Sequence, residues 1–409
     1  MNAPLSPPVY AVSRPEPEAQ PTYNIPLGCL RAFIVVLVVA HHAVLAYYPW
    51  LPAPHQALSG QPRLWGAFPT LDPQRWTGWA LFAGFNDIFF MALMFFLSGL
   101  FVWNSLQRKG SARFLRERSL RLGVPFVIFA ALIAPVAYYP AYLQSTATPT
   151  LSGFWHEWLA LGNWPAGPAW FIWMLLAFGC AAAAVHAFAP DAVEAVKNSA
   201  TTCLRRPFAF FALLVLPSCL AYVPLALVFT PLAWSAWGPF TFQTSRILLY
   251  ALYFAAGTIV GAANGGQTFL SPSGPLARRW MLWPSLAAVA FVVVAGLTIL
   301  ALQRPMHSRS LDLGMDIAFA TSCAASSFAF LAVFLRFVKA RGALAQSLCG
   351  CSYGIYLVHY PIVNWLQHAA LSVQISGFVK GVTIAVVGLG LSWGLVHILR
   401  QARWMARII

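Results

Sequence analysis

Arg31 and His42 stand eleven residues apart inside LGCLRAFIVVLVVAHHAVLAYY, the apolar run at residues 27–48. Ionisable groups in hydrocarbon are costly, so they usually face a bundle interior or an aqueous cavity where partners exist. Eleven helical residues turn through about 1100°, roughly 20° past three full turns, and rise about 16 Å. The two side chains therefore share one stripe, Arg31 near a membrane surface and His42 deep inside. His41 points about 100° away from His42. A cation at the mouth of a stripe that holds a titratable imidazole is the pattern of a site rather than an anchor. General acid–base chemistry is what such an imidazole does well at neutral pH.

Four further segments carry candidate chemistry. Residues 89–121 run from an aromatic crossing containing Ser98-Gly99 into six basic residues, Arg108, Lys109, Arg113, Arg116, Arg118 and Arg121. Arg118 and Arg121 are neighbours on a helix face, with Arg116 close by, and such a fork can hold phosphates bidentately. Ordinary positive-inside loading competes with that reading. Asp87 lies eleven residues before Ser98 and shares its face; it needs an Arg or His partner, or else caps a helix start. Ser352, Tyr356 and His359 fall at i, i+4 and i+7 on another helix face. His359 either serves the chemistry or braces helices, and the carbonyl freed by Pro361 offers it a structural partner. Gly167 to Trp173, with Trp170 at its centre, places aromatics at an interface. His186, Arg246, Asp316 and His397 sit near crossing ends or alone and receive no role, since snorkelling covers each.

The elements that position these residues are membrane helices. The chain of 409 residues is 60% hydrophobic and only 9% charged, with mean hydropathy +0.69. A soluble protein carries about 25% charged residues. Apolar runs of about 20 residues fall near 27–48, 84–104, 122–142, 168–188, 208–229, 242–263, 281–302, 313–336, 352–370 and 377–398. The expected fold is thus an all-α polytopic membrane helical bundle of about ten helices.

Ten crossings put both termini on one side. Of the 25 basic residues, only Arg63, Arg75, Arg246, Arg304, Arg309 and Lys380 fall on the other side, which places both termini in the cytoplasm. The net charge of +15 is therefore a topology signal and not one for nucleic acid. Residues 1–23, with five prolines, read as a disordered cytoplasmic tail, 24–400 as the membrane domain and 401–409 as a basic cytoplasmic tail. The two longest loops, 49–83 and 143–167, then face outward and bring Trp50, Trp65, Trp76, Trp79, Trp155, Trp158 and Trp164. Such aromatics suit carbohydrate or lipid headgroups as well as interfacial anchoring. Seven scattered cysteines fit neither a zinc site nor a disulfide framework and read as packing residues.

Taken together these motifs resemble the acyltransferase-3 family of multi-pass bacterial membrane acyltransferases. The Arg-x10-His pattern is matched by Arg31 and His42, and the FF-x-x-SG type segment by Phe95-Phe96-Leu97-Ser98-Gly99. The basic Arg-x-x-Arg before Leu-x-x-Pro is matched by Arg118 and Arg121 with Leu122-Gly123-Val124-Pro125. Trp170-Phe171 with Leu175 matches the fourth-helix pattern, and Ser352 to Pro361 the late Ser-Tyr-Gly-x-Tyr-Leu-x-His-x-Pro. Five motifs occur in order across the membrane region. One departure is that Gly28 and Cys29 stand where members often carry an acidic residue before the first-helix arginine. Another is that no extracytoplasmic hydrolase-like domain is present, so transfer within the membrane domain is the simpler scheme.

The resemblance implies an O-acyltransferase of the bacterial inner membrane, close to the glucan- or polysaccharide-modifying branch. It would move a short acyl group, acetyl or succinyl, from cytoplasmic acyl-CoA to a hydroxyl of a glycan or glycolipid. Acyl-CoA would be a co-substrate, with no permanently bound cofactor and no metal. Its phosphates would lie by Arg116, Arg118 and Arg121, with the pantetheine arm passing Arg31 towards His42. His42 would act as base or as acyl carrier, with Ser98 or Tyr356 as candidate oxyanion donors. His359 would orient the acceptor or brace the bundle; Asp87, Tyr356 and Trp170 are the acceptor-binding candidates. A transporter of a sugar or lipid is the alternative class; no broken-helix pair or matched half-repeat is evident in the sequence, which counts against it. A structural subunit of an assembly complex would need no buried Arg/His stripe.

Overall fold

A computed structural model describes residues 24–51, 68–265, 268–303, 308–339, 342–402 and 405–407. The expected tail at 1–23 and the loop residue Trp65 lie outside the described residues. Helix α1 (Ile25–Leu45) starts where the Asn24 side chain accepts from the Leu27 amide, with Pro26 in its first turn. The chain continues through α2 (Gly78–Gly99), α3 (Val102–Lys109) and α4 (Ser111–Arg118). Then come α5 (Val124–Ile128), α6 (Ala134–Ser145) and α7 (Leu151–Ala160). Helices α8 (Trp170–Phe188), α9 (Pro190–Leu204), α10 (Pro207–Phe229) and α11 (Ile247–Ala262) follow. The last are α12 (Pro275–Arg278), α13 (Leu282–Leu302), α14 (Arg309–Phe337), α15 (Ala343–Ala369) and α16 (Gly377–Leu399). Between α10 and α11 a small antiparallel hairpin pairs β1 (Trp234–Trp237) with β2 (Phe240–Gln243).

Nine helices among the described residues are long and apolar enough to cross a membrane. The protein is an all-α polytopic membrane bundle. Beside the ten runs expected, the one that falls short of that criterion is α15. Its 27 residues, about 40 Å of helix, would span a hydrocarbon core of about 30 Å. Its interior face is polar, however: Ser352, Tyr356, His359, Asn364 and Gln367 are all buried. Helix α15 packs against α1, α6 and α16, so those groups face protein instead of lipid.

Helix α1 is the axis of this half of the bundle, packed against α2, α14, α15 and α16. Peripheral helices pay for their position by being apolar all round: only 17% of the α13 window is buried, against 67% for the span beginning with α2. The first helix begins and the last ends at the same end of the bundle. The Cys349 thiol approaches the Gly28 carbonyl, and the Arg400 guanidinium lies against Gly350.

Two connections between crossings carry helical structure of their own. The basic stretch before Arg121 is helical, broken only at Gly110, whose φ of 74° suits glycine. Past α4 the ladder widens into two π-helical turns, Ser119–Gly123 and Phe129–Ile133. In the second outer loop, α7 forms because the Thr150 side chain caps it, accepting from the Gly153 amide.

Glycines set the closest helix contact. A Cβ at Gly99 would lie 2.2 Å from the Phe254 carbonyl oxygen; at Gly257, 2.1 Å from that of Phe96; at Gly261, 2.0 Å from that of Leu100. Gly257 and Gly261 form a G-x-x-x-G pair, which lets α11 lie backbone to backbone on α2. Because the obstacle is backbone, no rotamer change relieves it. Gly257→Val is expected to lower stability by about 3 kcal/mol, the upper end of overpacking costs, measured by thermal unfolding in detergent; an unchanged midpoint would refute the close approach.

Candidate active site

Helices α1 and α15 bring His42 and His359 together. Their rings stack with centroids 5.2 Å apart and 5° between planes. His359 is fully buried, and its Nδ1 lies 2.7 Å from the Tyr356 carbonyl oxygen three residues earlier. A carbonyl can only accept, so the proton sits on Nδ1 and Nε2 is left with a bare lone pair. That Nε2 is buried without a partner among the described residues, and so is the Nδ1 of His42. Buried polar atoms are nearly always paired, and an orphan costs about 1–3 kcal/mol. These two orphans lie on adjacent rings, and the Nδ1 of His41 beside them is a third.

The surroundings hold these rings in place. Gln367 donates to the carbonyls of His42 (2.8 Å) and Ala43 (3.0 Å), which pins α1 to α15 at this level. Tyr360 sets its ring edge against His42 at 5.1 Å and hydrogen-bonds Tyr138 of α6. Tyr356 donates its hydroxyl to the Pro168 carbonyl. Gly167, at φ 49°, has room for no side chain, since a Cβ would lie 2.9 Å from the Tyr360 ring. The Gly167-Pro168-Ala169 turn is thus the surface on which the late motif docks. The Tyr356 hydroxyl already donates to protein, so as an oxyanion donor it is committed elsewhere.

Asp87 belongs to a second cluster. Helix α2 begins at Gly78, so Asp87 lies inside the helix and is no cap. Its partner is Arg246, the residue to which sequence reading assigned no role. Nη2 of Arg246 lies 2.7 Å from Asp87 Oδ2, and Nη1 donates to the Asp87 carbonyl at 2.9 Å. The guanidinium also lies 4.6 Å from the Phe319 ring. Arg246 looked like a snorkelling residue because it stands one residue before α11. The demand of Asp87 for a cation was visible, and Arg246 was one of six outer-side basic residues able to answer it. His41 lies between the two clusters, 5.2 Å from the Phe90 ring and 5.6 Å from that of His42. Trp170 is half-buried and stacks on Tyr250 at 5.5 Å.

The other site residues lie towards the end that carries Arg31. Arg31 itself is exposed and makes no hydrogen bond or ion pair with a described residue. Along its stripe, Val35 and Val38 are 2% and 3% exposed, so packed side chains separate it from His42. Ser98 is half-buried. It is eight residues, about 12 Å along α2, beyond Phe90, the residue that meets His41. The antiparallel register of α1 and α2 therefore keeps Ser98 away from the histidine pair. Arg118 is half-buried with its guanidinium 5.1 Å from the Phe114 ring, while Arg116 and Arg121 are exposed. Arg118 and Arg121 lie within Coulombic reach of each other, and the Arg121 carbonyl accepts from Tyr353 of α15. Glu117 pairs with Lys109 and Arg113, which removes those two from the free basic set.

Comparison with curated proteins and with solved structures gives no match. The family model described as acyltransferase domain matches residues 25–397, nearly the whole chain and all the clusters above. The protein therefore belongs to the acyltransferase-3 family and is a multi-pass membrane acyltransferase.

Proposed function

We propose that this acyltransferase moves a short acyl group, acetyl or succinyl, from cytoplasmic acyl-CoA to a hydroxyl of a glycan, glucan or glycolipid in the bacterial inner membrane. The observation that supports this reading is the stacked His42–His359 pair, with two buried ring nitrogens that no described protein group satisfies. His42 removes the proton from the acceptor hydroxyl as its oxygen attacks the thioester carbonyl. The tetrahedral intermediate collapses, the C–S bond breaks, and the imidazolium returns the proton to the departing thiolate. His359 Nε2, a fixed acceptor, holds a donor hydroxyl of the acceptor beside it. Tyr356 and Tyr360 position the two rings through Pro168 and Tyr138.

By the positive-inside asymmetry the Arg31 end is cytoplasmic. There Arg116, Arg118 and Arg121 receive the phosphates of the donor. Its arm enters past Arg31 and Ser98, and Val35 and Val38 must part to admit it. No permanently bound cofactor or metal takes part in this scheme.

Membranes supplied with radiolabelled acetyl-CoA test the proposal: label is expected in a glycan or lipid fraction, whereas a pure carrier leaves it on the donor. Arg118→Ala with Arg121→Ala is expected to weaken acyl-CoA binding at least tenfold in detergent, two charge-assisted contacts being lost. Unchanged donor affinity would reject the phosphate fork.

A further inference from the structure

The end of the bundle that carries Arg31 holds a cavity for which acyl transfer has no use. It lies between the start of α15 and the end of α16, with a volume of about 470 Å³, the liquid volume of roughly 15 waters. Arg400, His397, Gln346, Gln401, Ser347 and Gly350 line it. Trp393 of α16 donates its indole N–H to Ser347 Oγ at 3.1 Å, which leaves the serine proton for another acceptor. Each of the polar side chains can donate a hydrogen bond, and none is a carboxylate.

Arg400 is half-buried here, and its side chain makes no hydrogen bond or ion pair with a described residue. Its Nη1 lies 3.5 Å from where a Cβ on Gly350 would stand. Glycine is a poor residue for a helix interior. What it provides inside α15 is bare backbone against which a guanidinium fits. The last acidic residue of the chain is Asp316, and residues 317–409 contain none. Neither helix that builds the cavity can therefore supply a counter-ion, so the anion must come from outside.

The apolar neighbours say which anion. Leu344, Leu395 and Ile398, on the same turns of the same two helices, are 61%, 40% and 63% exposed. A ligand suited to both surfaces is amphiphilic, with a charged head among the donors and hydrocarbon beside the aliphatic side chains. Basic pockets between membrane helices on the cytoplasmic side are a general seat for anionic lipid headgroups. A guanidinium matches phosphate oxygens two at a time.

We propose that this cavity seats the phosphate of an anionic phospholipid of the inner leaflet, held by Arg400 with Gln346, Gln401 and Ser347 as neutral donors. The bound lipid ties the entry of α15 to the exit of α16.

In the test, the full-length protein is purified in detergent, stripped of lipid and titrated with short-chain phosphatidylglycerol while thermal unfolding is followed. Short-chain phosphatidylcholine, inorganic phosphate and acetyl-CoA are the parallel titrants. A ligand that binds the folded protein alone raises its stability with concentration. Phosphatidylglycerol is expected to raise the midpoint by about 3 °C or more, and phosphatidylcholine and inorganic phosphate by less than about 1 °C. Arg400→Gln and Gly350→Leu, the second of which fills the floor of the cavity, should each lose most of that rise, measured from their own lipid-free midpoints. Arg336→Gln removes an exposed cation at the end of α14, outside the cavity, and should keep it. Equal loss in all three variants overturns the site, since general positive charge would then explain the binding. An equal response to the two lipids overturns the choice of headgroup. Inorganic phosphate matching phosphatidylglycerol would give the cavity to a free anion. A larger rise with acetyl-CoA that Arg400→Gln abolishes would give it to the acyl donor. Either result overturns the lipid. Acyl transfer is not measured in any arm, so this site and the acyltransferase reading can fail separately.

Discussion

His42→Ala should reduce acyl transfer by at least about a hundredfold, the scale of a lost general base, with the protein still at its normal level in the membrane. His41→Ala should keep a tenth or more of the activity. The adjacent histidines offer a stringent comparison because they share helix, depth and neighbourhood. They differ in what they face: His42 stacks on His359, and His41 lies against Phe90 on the side of Asp87. Transfer of radiolabel from acetyl-CoA, normalised to protein by immunoblot, measures both. Equal losses would mean that the pairing of His42 with His359 is not what matters, and an active His42→Ala protein would remove the base from the mechanism.

Lys380→Ala should cost about 3–5 kcal/mol of stability, the range for stripping one partner from a buried ion pair. The Lys380 ammonium lies 2.6 Å from Asp72 Oδ2, and the two side chains are 1% and 0% exposed. Asp72 also accepts from the Gln74 amide and donates its own amide to the Ala46 carbonyl. The pair thus ties the segment after α1 to the start of α16. The penalty comes from the carboxylate left charged and without its cation in a dry site. Lys380→Met with Asp72→Asn should therefore recover most of the loss. Thermal unfolding in detergent of Lys380→Met, Asp72→Asn and the double gives the coupling energy. Additive losses would show that the two residues act independently.

How far the chain could be read without coordinates depended on the kind of signal. Membrane spans announce themselves through length and hydropathy, because hydrocarbon accepts little else. The exception shows why: α15 is enclosed by other helices, so lipid never selected for apolarity on its inner face. Helical periodicity was equally legible within one element, and the face shared by Ser352, Tyr356 and His359 is indeed buried in α15. Between elements it failed. Asp87 and Ser98 share a stripe as their spacing requires, yet the register of α2 against α1 sets Asp87 near the histidines and Ser98 eight residues, about 12 Å of helix, beyond Phe90.

Read alone, the chain thus determines that it is a polytopic helical membrane protein of the acyltransferase-3 kind, and which residues are too costly in lipid to be idle. Tertiary structure alone decided that His42 meets His359 across two helices 317 positions apart in numbering (359 − 42), and that Asp87 is answered by Arg246. The physical reason is the same in both cases. Burial makes a polar group demand a partner, a demand written locally in the sequence. Which group answers depends on how the helices cross and slide, and that is set by distant contacts such as Gly257 against Phe96, whose pairing no local pattern encodes.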